Sequence, residues 1–72
     1  MNNNTVSLSE EDIRNVEERL SMLYSKSKNQ CASSTERDYW FGKYMEAKMM
    51  CTYLHIVVYP PNNRNRVHVE VR

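Results

Sequence analysis

Two histidines and two cysteines are the residues of this sequence best suited to catalysis or metal binding, but their spacing matches no established site. His55 and His68 have no cysteine or carboxylate at the spacing of metal ligands, and the patterns C-x-x-C and H-x-x-x-H do not occur. Nothing near Cys31 marks a stabilised thiolate. Gly42 is the one glycine, which excludes a glycine-rich phosphate loop of the usual kind. The sequence therefore predicts a non-enzymatic protein without metal or cofactor.

Binding chemistry is concentrated at the connection between two predicted helices. Cations, amides and aromatic rings gather there, and the candidate ligand-binding residues are Lys26, Lys28, Asn29, Arg37 and Tyr39. Together with the N-terminus of the second helix, these groups suit an anion or a nucleotide. The alternative interpretation is a solvated turn in front of a core tryptophan.

The tail that follows Pro60 carries a second basic segment, in which Arg64 and Arg66 alternate with asparagines. Affinity for a phosphate backbone scales with the number of phosphates neutralised, and two arginines neutralise few. The formal net charge of +1 also gives no strongly basic surface. The sequence therefore disfavours nucleic acid as a partner.

The chain of 72 residues is long enough for a single small domain, residues 1–72. A domain of this size buries only about 60% of the surface that its unfolded chain exposes, so its stability is marginal without disulfides, metal or association. If residues 35–51 are helical, a rise of ~1.5 Å per residue places Cys31 roughly 25 Å from Cys51, too far for a disulfide. We expect Cys31 to be a free thiol and Cys51 a core residue.

The beginning of the chain has no basic region followed by an apolar segment, so it does not resemble a signal peptide. The apolar residues 49–59 are too few to span a bilayer, which needs about 20. We expect a soluble, cytoplasmic protein with no membrane partner. The polar residues 1–8 are predicted to form a flexible N-terminus.

Helix one is predicted at residues 9–28 from capping signals and apolar spacing. Ser9 is a candidate N-cap, acidic residues fill the first turn, and Leu8 is placed to pack on Ile13. Its apolar stripe comprises Ile13, Val16, Leu20 and Leu23.

Helix two is predicted at residues 34–58, after a polar connection. Ser33 and Glu36 form a capping box, and Thr35 with Asp38 offers a second register. Because the two apolar stripes match, we expect the helices to fold back on each other as an antiparallel hairpin.

Residues 40–59 carry an apolar face, and from Met49 onward almost every position is apolar. A helix that is apolar nearly all round requires burial on nearly all sides. A chain of 72 residues is too short to supply this burial alone, so we expect a homo-oligomer built around helix two. The predicted interface residues are Trp40, Tyr44, Met45, Met49, Cys51, Leu54, Ile56 and Val58.

The end of helix two is ambiguous, because residues 53–59 are rich in β-branched and aromatic side chains. The helical spacing continues through these residues without a breaker before Pro60, which favours a helix to about Val57. In the alternative, residues 54–59 pair with residues 66–71 as a β-hairpin. Val67, Val69 and Val71 alternate with polar residues, so 66–72 is predicted to be strand-like. If helix two is long, we expect this segment to pack on, or pair with, a neighbouring subunit.

The predicted fold class is mainly α: an antiparallel helical hairpin with a short C-terminal β tail, assembled as a homo-oligomer. The alternative is an α+β fold, in which the helices precede a C-terminal β-hairpin.

Several short motifs within residues 12–58 resemble a known family. They are Glu36-Arg37, Asp38-Tyr39-Trp40, Lys43 and Glu46-Ala47-Lys48-Met49. The arrangement is similar to that of the helical-hairpin anti-defence sponges encoded by phages. Those proteins form oligomers that sequester cyclic nucleotide signals of bacterial immunity.

The resemblance implies a phage protein that acts in the cytoplasm of a host cell. The first functional expectation is a small homo-oligomeric antagonist or modulator of a host defence factor, with a host protein as partner. The alternative is a sponge for a cyclic nucleotide or a similar anion, and a further alternative is a structural or assembly accessory.

Overall fold

The computed structural model describes residues 8–72, in which two antiparallel helices are followed by a small β-hairpin. The helices are α1, Glu10–Ser27, and α2, Ser34–Tyr53, and the strands are β1, Ile56–Val58, and β2, Val69–Val71. The predicted fold class, mainly α with β structure at the C-terminal end, is confirmed. Most of the predicted flexible segment 1–8, namely residues 1–7, lies outside the described residues.

Both helices begin where the capping signals predict. The Ser9 side chain accepts a hydrogen bond from the Asp12 N–H at 3.1 Å, and the Asp12 carboxylate accepts one from the Ser9 N–H at 3.2 Å. At the start of α2, the Ser33 hydroxyl accepts from the Glu36 N–H at 3.1 Å. Within residues 8–72, neither helix combines the length and apolar character needed to cross a membrane.

The prediction that helix two continues to residues 57–58 is wrong, because α2 ends at Tyr53. Leu54 closes the helix, and its N–H donates to the carbonyls of Met50 and Cys51 at 3.1 and 3.0 Å. His55 follows in the left-handed region with φ 62°. Helices commonly end on such a residue, but usually on glycine. A histidine takes that position here, so the sequence shows no obvious breaker.

β1 and β2 pair as the alternative hairpin prediction describes. The strands are antiparallel, with Ile56 opposite Val71 and Val58 opposite Val69. Asn62 organises the connecting turn, since its side-chain oxygen accepts from the Arg64 and Arg66 N–H groups at 2.8 and 2.9 Å.

A single core joins all four elements. Its buried apolar residues are Leu20, Leu23, Tyr44, Cys51, Ile56, Val67 and Val69. The prediction that the valine-rich tail packs on a neighbouring subunit is therefore wrong for Val67 and Val69, which fill the core of their own chain. The apolar run divides into a helix and a strand, and both contribute residues to the core of the same chain.

α1 also closes the outer edge of β2 through two polar side chains. Ser21 Oγ accepts from the Val67 N–H at 2.8 Å, and Glu17 Oε2 accepts from the Val69 N–H at 2.9 Å. Residues four apart on a helix and two apart on an extended chain are both separated by about 6 Å along the axis. The two pairs therefore form in register.

Candidate functional site

The predicted ligand-binding residues lie near the hairpin tip, but they do not converge on one point. Lys26 Nζ lies 4.8 Å from the centre of the Trp40 ring, and the Tyr39 ring meets the same indole edge-on at 5.1 Å. Lys28 instead lies over Tyr24, with Nζ 5.3 Å from the ring centre. The structure thus brings Lys26 and Tyr39 together around Trp40 and directs Lys28 elsewhere.

The remaining two predicted residues have local surroundings. The Asn29 side chain accepts from the Cys31 N–H at 3.0 Å and so shapes the interhelical turn. Arg37 is half-buried in the first turn of α2. Among the described residues, neither side chain has a hydrogen bond or salt bridge to Lys26, Tyr39 or Trp40.

A groove of about 450 Å³ lies between the two helices, with Tyr39 and Trp40 nearest the hairpin tip. We call it the tip groove; its polar and aromatic lining is Arg19, Tyr39, Trp40, Lys43 and Glu46. Lys43 Nζ lies 5.4 Å from the centre of the Tyr39 ring. Arg19 and Lys43 were not among the predicted ligand-binding residues. Lys43 follows Tyr39 by four residues, a spacing that places both on the same side of the helix. No sequence signal relates Arg19 to α2.

The predicted oligomer interface divides into buried and exposed residues. Tyr44, Cys51 and Ile56 are buried in the core of a single chain, and Trp40 and Val58 pack against that core. Their burial within one chain corrects the expectation that the whole set faces a second copy. Met45, Met49 and Leu54 remain exposed.

A row of exposed apolar side chains lies along α2 on the side opposite the core. Phe41, Met45, Met49 and Tyr53 follow one another at intervals of four residues, with 42%, 44%, 52% and 69% of their surface exposed. We call this row the outer face of α2. Gly42 lies beside it, and a Cβ added to this glycine meets no atom within 4 Å.

A cluster around His68 joins α1 to the C-terminal segment. His68 Nδ1 lies 2.9 Å from Glu17 Oε2, and Nε2 lies 3.3 Å from Glu70 Oε2. The Tyr59 hydroxyl donates to Glu70 at 3.0 Å, and its ring stacks on the imidazole at 5.5 Å. Hydrogen bonds from His68 and then from Tyr59 lower the pKa of the Glu70 carboxyl.

His68 has two carboxylate partners that were not predicted from the sequence. Glu70 is two residues away and lies on the same face of an extended chain. The alternation of side chains along a strand could therefore have predicted this partner. Glu17 belongs to α1, so only the tertiary fold brings it to the imidazole. Because Glu17 on α1 contacts both the His68 ring and the Val69 N–H, the cluster holds the C-terminal segment on α1.

The cysteines lie as predicted: Cys31 is an exposed free thiol, and Cys51 is a free thiol in the core. Burial raises the pKa of the Cys51 thiol. The tail residues Arg64 and Arg66 are exposed in the turn between the strands. Among residues 8–72, no group of three or more potential ligands is arranged to hold a metal ion.

Comparison with known proteins gave no match to a family model, to a curated protein or to a solved structure.

Proposed function

We propose that this protein is a small non-enzymatic binding protein that self-associates through the outer face of α2. The observation that carries the proposal is the exposed row of Phe41, Met45, Met49 and Tyr53. The core of the chain is complete without these side chains, so their exposure to water is a cost that a partner surface removes. Burial contributes about 25 cal/mol per Å² of apolar surface.

The composition of this face favours a protein partner. Aromatic residues and methionine are enriched in protein interfaces, whereas lysine, glutamate and aspartate are depleted there. Methionine side chains also adapt to differently shaped surfaces. The same face therefore suits either a second copy or, in the antagonist role expected from the resemblance, a host protein that competes with it.

Self-association is tested by placing charge on the outer face. Each methionine side chain contributes about 1.5–3 kcal/mol when fully buried, so Met49→Glu should raise the dissociation constant at least about tenfold. Sedimentation velocity over a range of concentrations measures this constant. Met22→Glu is the matched control, because Met22 is exposed on α1.

The expected result is an oligomeric wild type, a monomeric Met49→Glu variant with unchanged circular dichroism, and a Met22→Glu variant that behaves like the wild type. A wild-type protein that stays monomeric at high concentration would contradict the proposal.

The tip groove supports a second candidate function, the sequestration of a nucleotide-like anion. Arg19 and Lys43 supply positive charge in a groove that also presents Tyr39 and Trp40. A phosphate beside the cations and a base on an aromatic ring is a chemically consistent arrangement.

Calorimetric titration with cyclic dinucleotides tests this second function, with Lys43→Ala as the weakened variant and Arg14→Ala as the control. The expected result is binding that Lys43→Ala weakens and Arg14→Ala leaves unchanged. Equal affinities for the two variants would remove the tip groove from consideration.

A further inference from the structure

The hydrogen bonds that flank the hairpin determine which backbone groups of β1 face its partner strand. The Tyr59 N–H donates to the His68 carbonyl at 2.9 Å, and the Arg72 N–H donates to the His55 carbonyl at 2.8 Å. Along an antiparallel ladder, residues whose N–H and C=O groups point to the partner strand alternate with residues whose groups point away. The N–H and C=O groups of Val57 therefore point to Glu70. The N–H and C=O groups of Ile56 and Val58 therefore point away from β2.

The β2 edge of this sheet is hydrogen-bonded to α1, whereas the β1 edge has no partner strand among the described residues. At the β2 edge, side chains of α1 accept from the Val67 and Val69 N–H groups. Within residues 8–72 the sheet has two strands, so no third strand pairs with β1. A strand edge without a partner strand is a template for an added strand. Val58 is half-buried and Ile56 is only 4% exposed, so an added strand reaches the Ile56 backbone through a groove that this residue lines.

A groove of about 360 Å³ borders β1 and is shared with the last turns of α2. Besides the strand itself, it is lined by Lys48, Thr52, His55 and Arg72. Lys48 and Arg72 are basic, and no aspartate or glutamate side chain contributes to the lining. The Lys48 ammonium lies 6.0 Å from the centre of the Tyr44 ring. We call this site the edge groove.

We propose that the edge groove binds an extended acidic peptide, which adds to β1 as a third strand. The peptide backbone pairs with the outward N–H and C=O groups of Ile56 and Val58, and its acidic side chains face Lys48 and Arg72. β1 has three residues and offers roughly 10 Å of edge, enough for a short segment.

Charge decides between an acidic peptide and a second copy of this chain. Pairing β1 with β1 of another copy would bring two lysines and two arginines to one small groove, and like charges destabilise such a contact. An acidic segment neutralises the same groups. The proposal concerns a surface other than the outer face of α2, so it stands whether or not the protein self-associates.

The test uses a fluorescein-labelled peptide with the sequence TEVEVT and measures its binding by fluorescence anisotropy. The matched control peptide is TKVKVT, which has the same β-propensity pattern but the opposite charge. We expect TEVEVT to bind at least about tenfold more tightly, a difference of about 1.4 kcal/mol. Lys48→Glu should remove this preference, while Lys28→Glu, at the distant hairpin tip, should leave it intact.

Backbone pairing is tested with two N-methylated versions of TEVEVT. One version carries methyl groups on the amides of both valines, and the other on the amides of both glutamates. Alternate amides point to opposite edges of an extended strand, so one version should lose binding and the other should retain it.

Amide chemical shifts locate the bound peptide without altering the protein. The expected result is that TEVEVT shifts the amides of Ile56 and Val58. Absence of binding, equal binding of TKVKVT, or equal affinities for the two methylated peptides would overturn the proposal. Concentration-dependent shifts at Ile56 and Val58 without peptide would also overturn it, since they would assign the edge to a second copy.

Discussion

Individual polar residues on α1 hold the C-terminal segment in place. Ser21 is buried. The sequence gives no sign of this, because Ser25, the next serine on the same helix, is exposed. Its hydroxyl satisfies a backbone N–H 46 residues away, at Val67. A buried donor that loses its acceptor costs about 1–3 kcal/mol. Ser21 is therefore a structural residue of the sheet as much as of the helix.

Ser21→Ala is expected to lower the free energy of unfolding by about 1–3 kcal/mol, because the Val67 N–H is left without an acceptor. For a domain of this size, each kcal/mol corresponds to about 4–8 °C in Tm. Ser25→Ala is the matched control, since Ser25 lies on the same helix and is exposed. Thermal and urea unfolding measure both variants. Equal stability of the two would mean that the Ser21 hydroxyl contributes nothing.

Glu70 makes the stability of the C-terminal segment depend on pH. Hydrogen bonds from His68 and Tyr59 hold the pKa of this carboxyl below its ordinary value of 4.5. A carboxyl with a lowered pKa in the folded state stabilises the fold above its unfolded pKa, and that stabilisation disappears as the pH falls through the folded value. The contribution is thus fully present at neutral pH and is lost in acid.

Urea unfolding of Glu70→Gln and wild type between pH 7 and pH 3 measures this contribution. The wild type should be more stable at neutral pH, and its advantage should shrink as the pH falls below about 4.5. Glu18→Gln, on the exposed side of α1, controls for the loss of one negative charge. An advantage that stays constant over the whole range would contradict the role of the Glu70 cluster.

At the scale of secondary-structure elements, the starts of the helices could be predicted from the sequence, but the end of α2 could not. The helix starts were predictable, because Ser9 and Ser33 are local capping signals. The end of α2 was not, since the 4-3-4 spacing continues past Tyr53 and the residue in the left-handed conformation is His55. Just beyond the boundary Ile56 packs in the core, a tertiary contact that has no local signature.

His55→Gly tests this interpretation of the helix end. A non-glycine residue at positive φ destabilises the folded state by about 1–3 kcal/mol. Glycine removes this strain but costs somewhat less free energy in return, because it increases the entropy of the unfolded chain. We expect His55→Gly to raise Tm by a few degrees. Leu54→Gly should lower it, because exposed Leu54 already has a negative φ of −93°. Thermal unfolding followed by circular dichroism distinguishes the two, and a fall in Tm for both variants would contradict the prediction.

For the molecule as a whole, the periodic apolar residues identified the core but not the number of chains that share it. Tyr44, Cys51 and Ile56 were assigned to an interface, yet they pack with Val67 and Val69 from the same chain. Periodicity shows that a face is buried, and only the fold shows against what. The groups around the tip and edge grooves likewise come from separate elements, so local patterns could not assemble either site.

Gly42 connects the stability of one chain to its proposed self-association. Because a Cβ at this position meets open space, Gly42→Ala should stabilise an isolated chain by about 1 kcal/mol through helix propensity. If α2 packs closely against a second copy at this point, the same methyl group should weaken association. Urea unfolding and sedimentation of the variant should therefore change in opposite directions. A variant that associates as tightly as the wild type would place the contact away from Gly42.

The connection between α2 and β1 consists of Leu54 and His55 alone, and its shortness constrains how the gene can change. One codon added or removed there would turn Ile56 towards solvent and Val57 towards the core, since successive strand residues face opposite sides. Residues 60–66 form a surface turn between the strands, where extra codons leave both faces intact. In descendants of this gene, length variation should accumulate at residues 60–66 and be purged at residues 54–55.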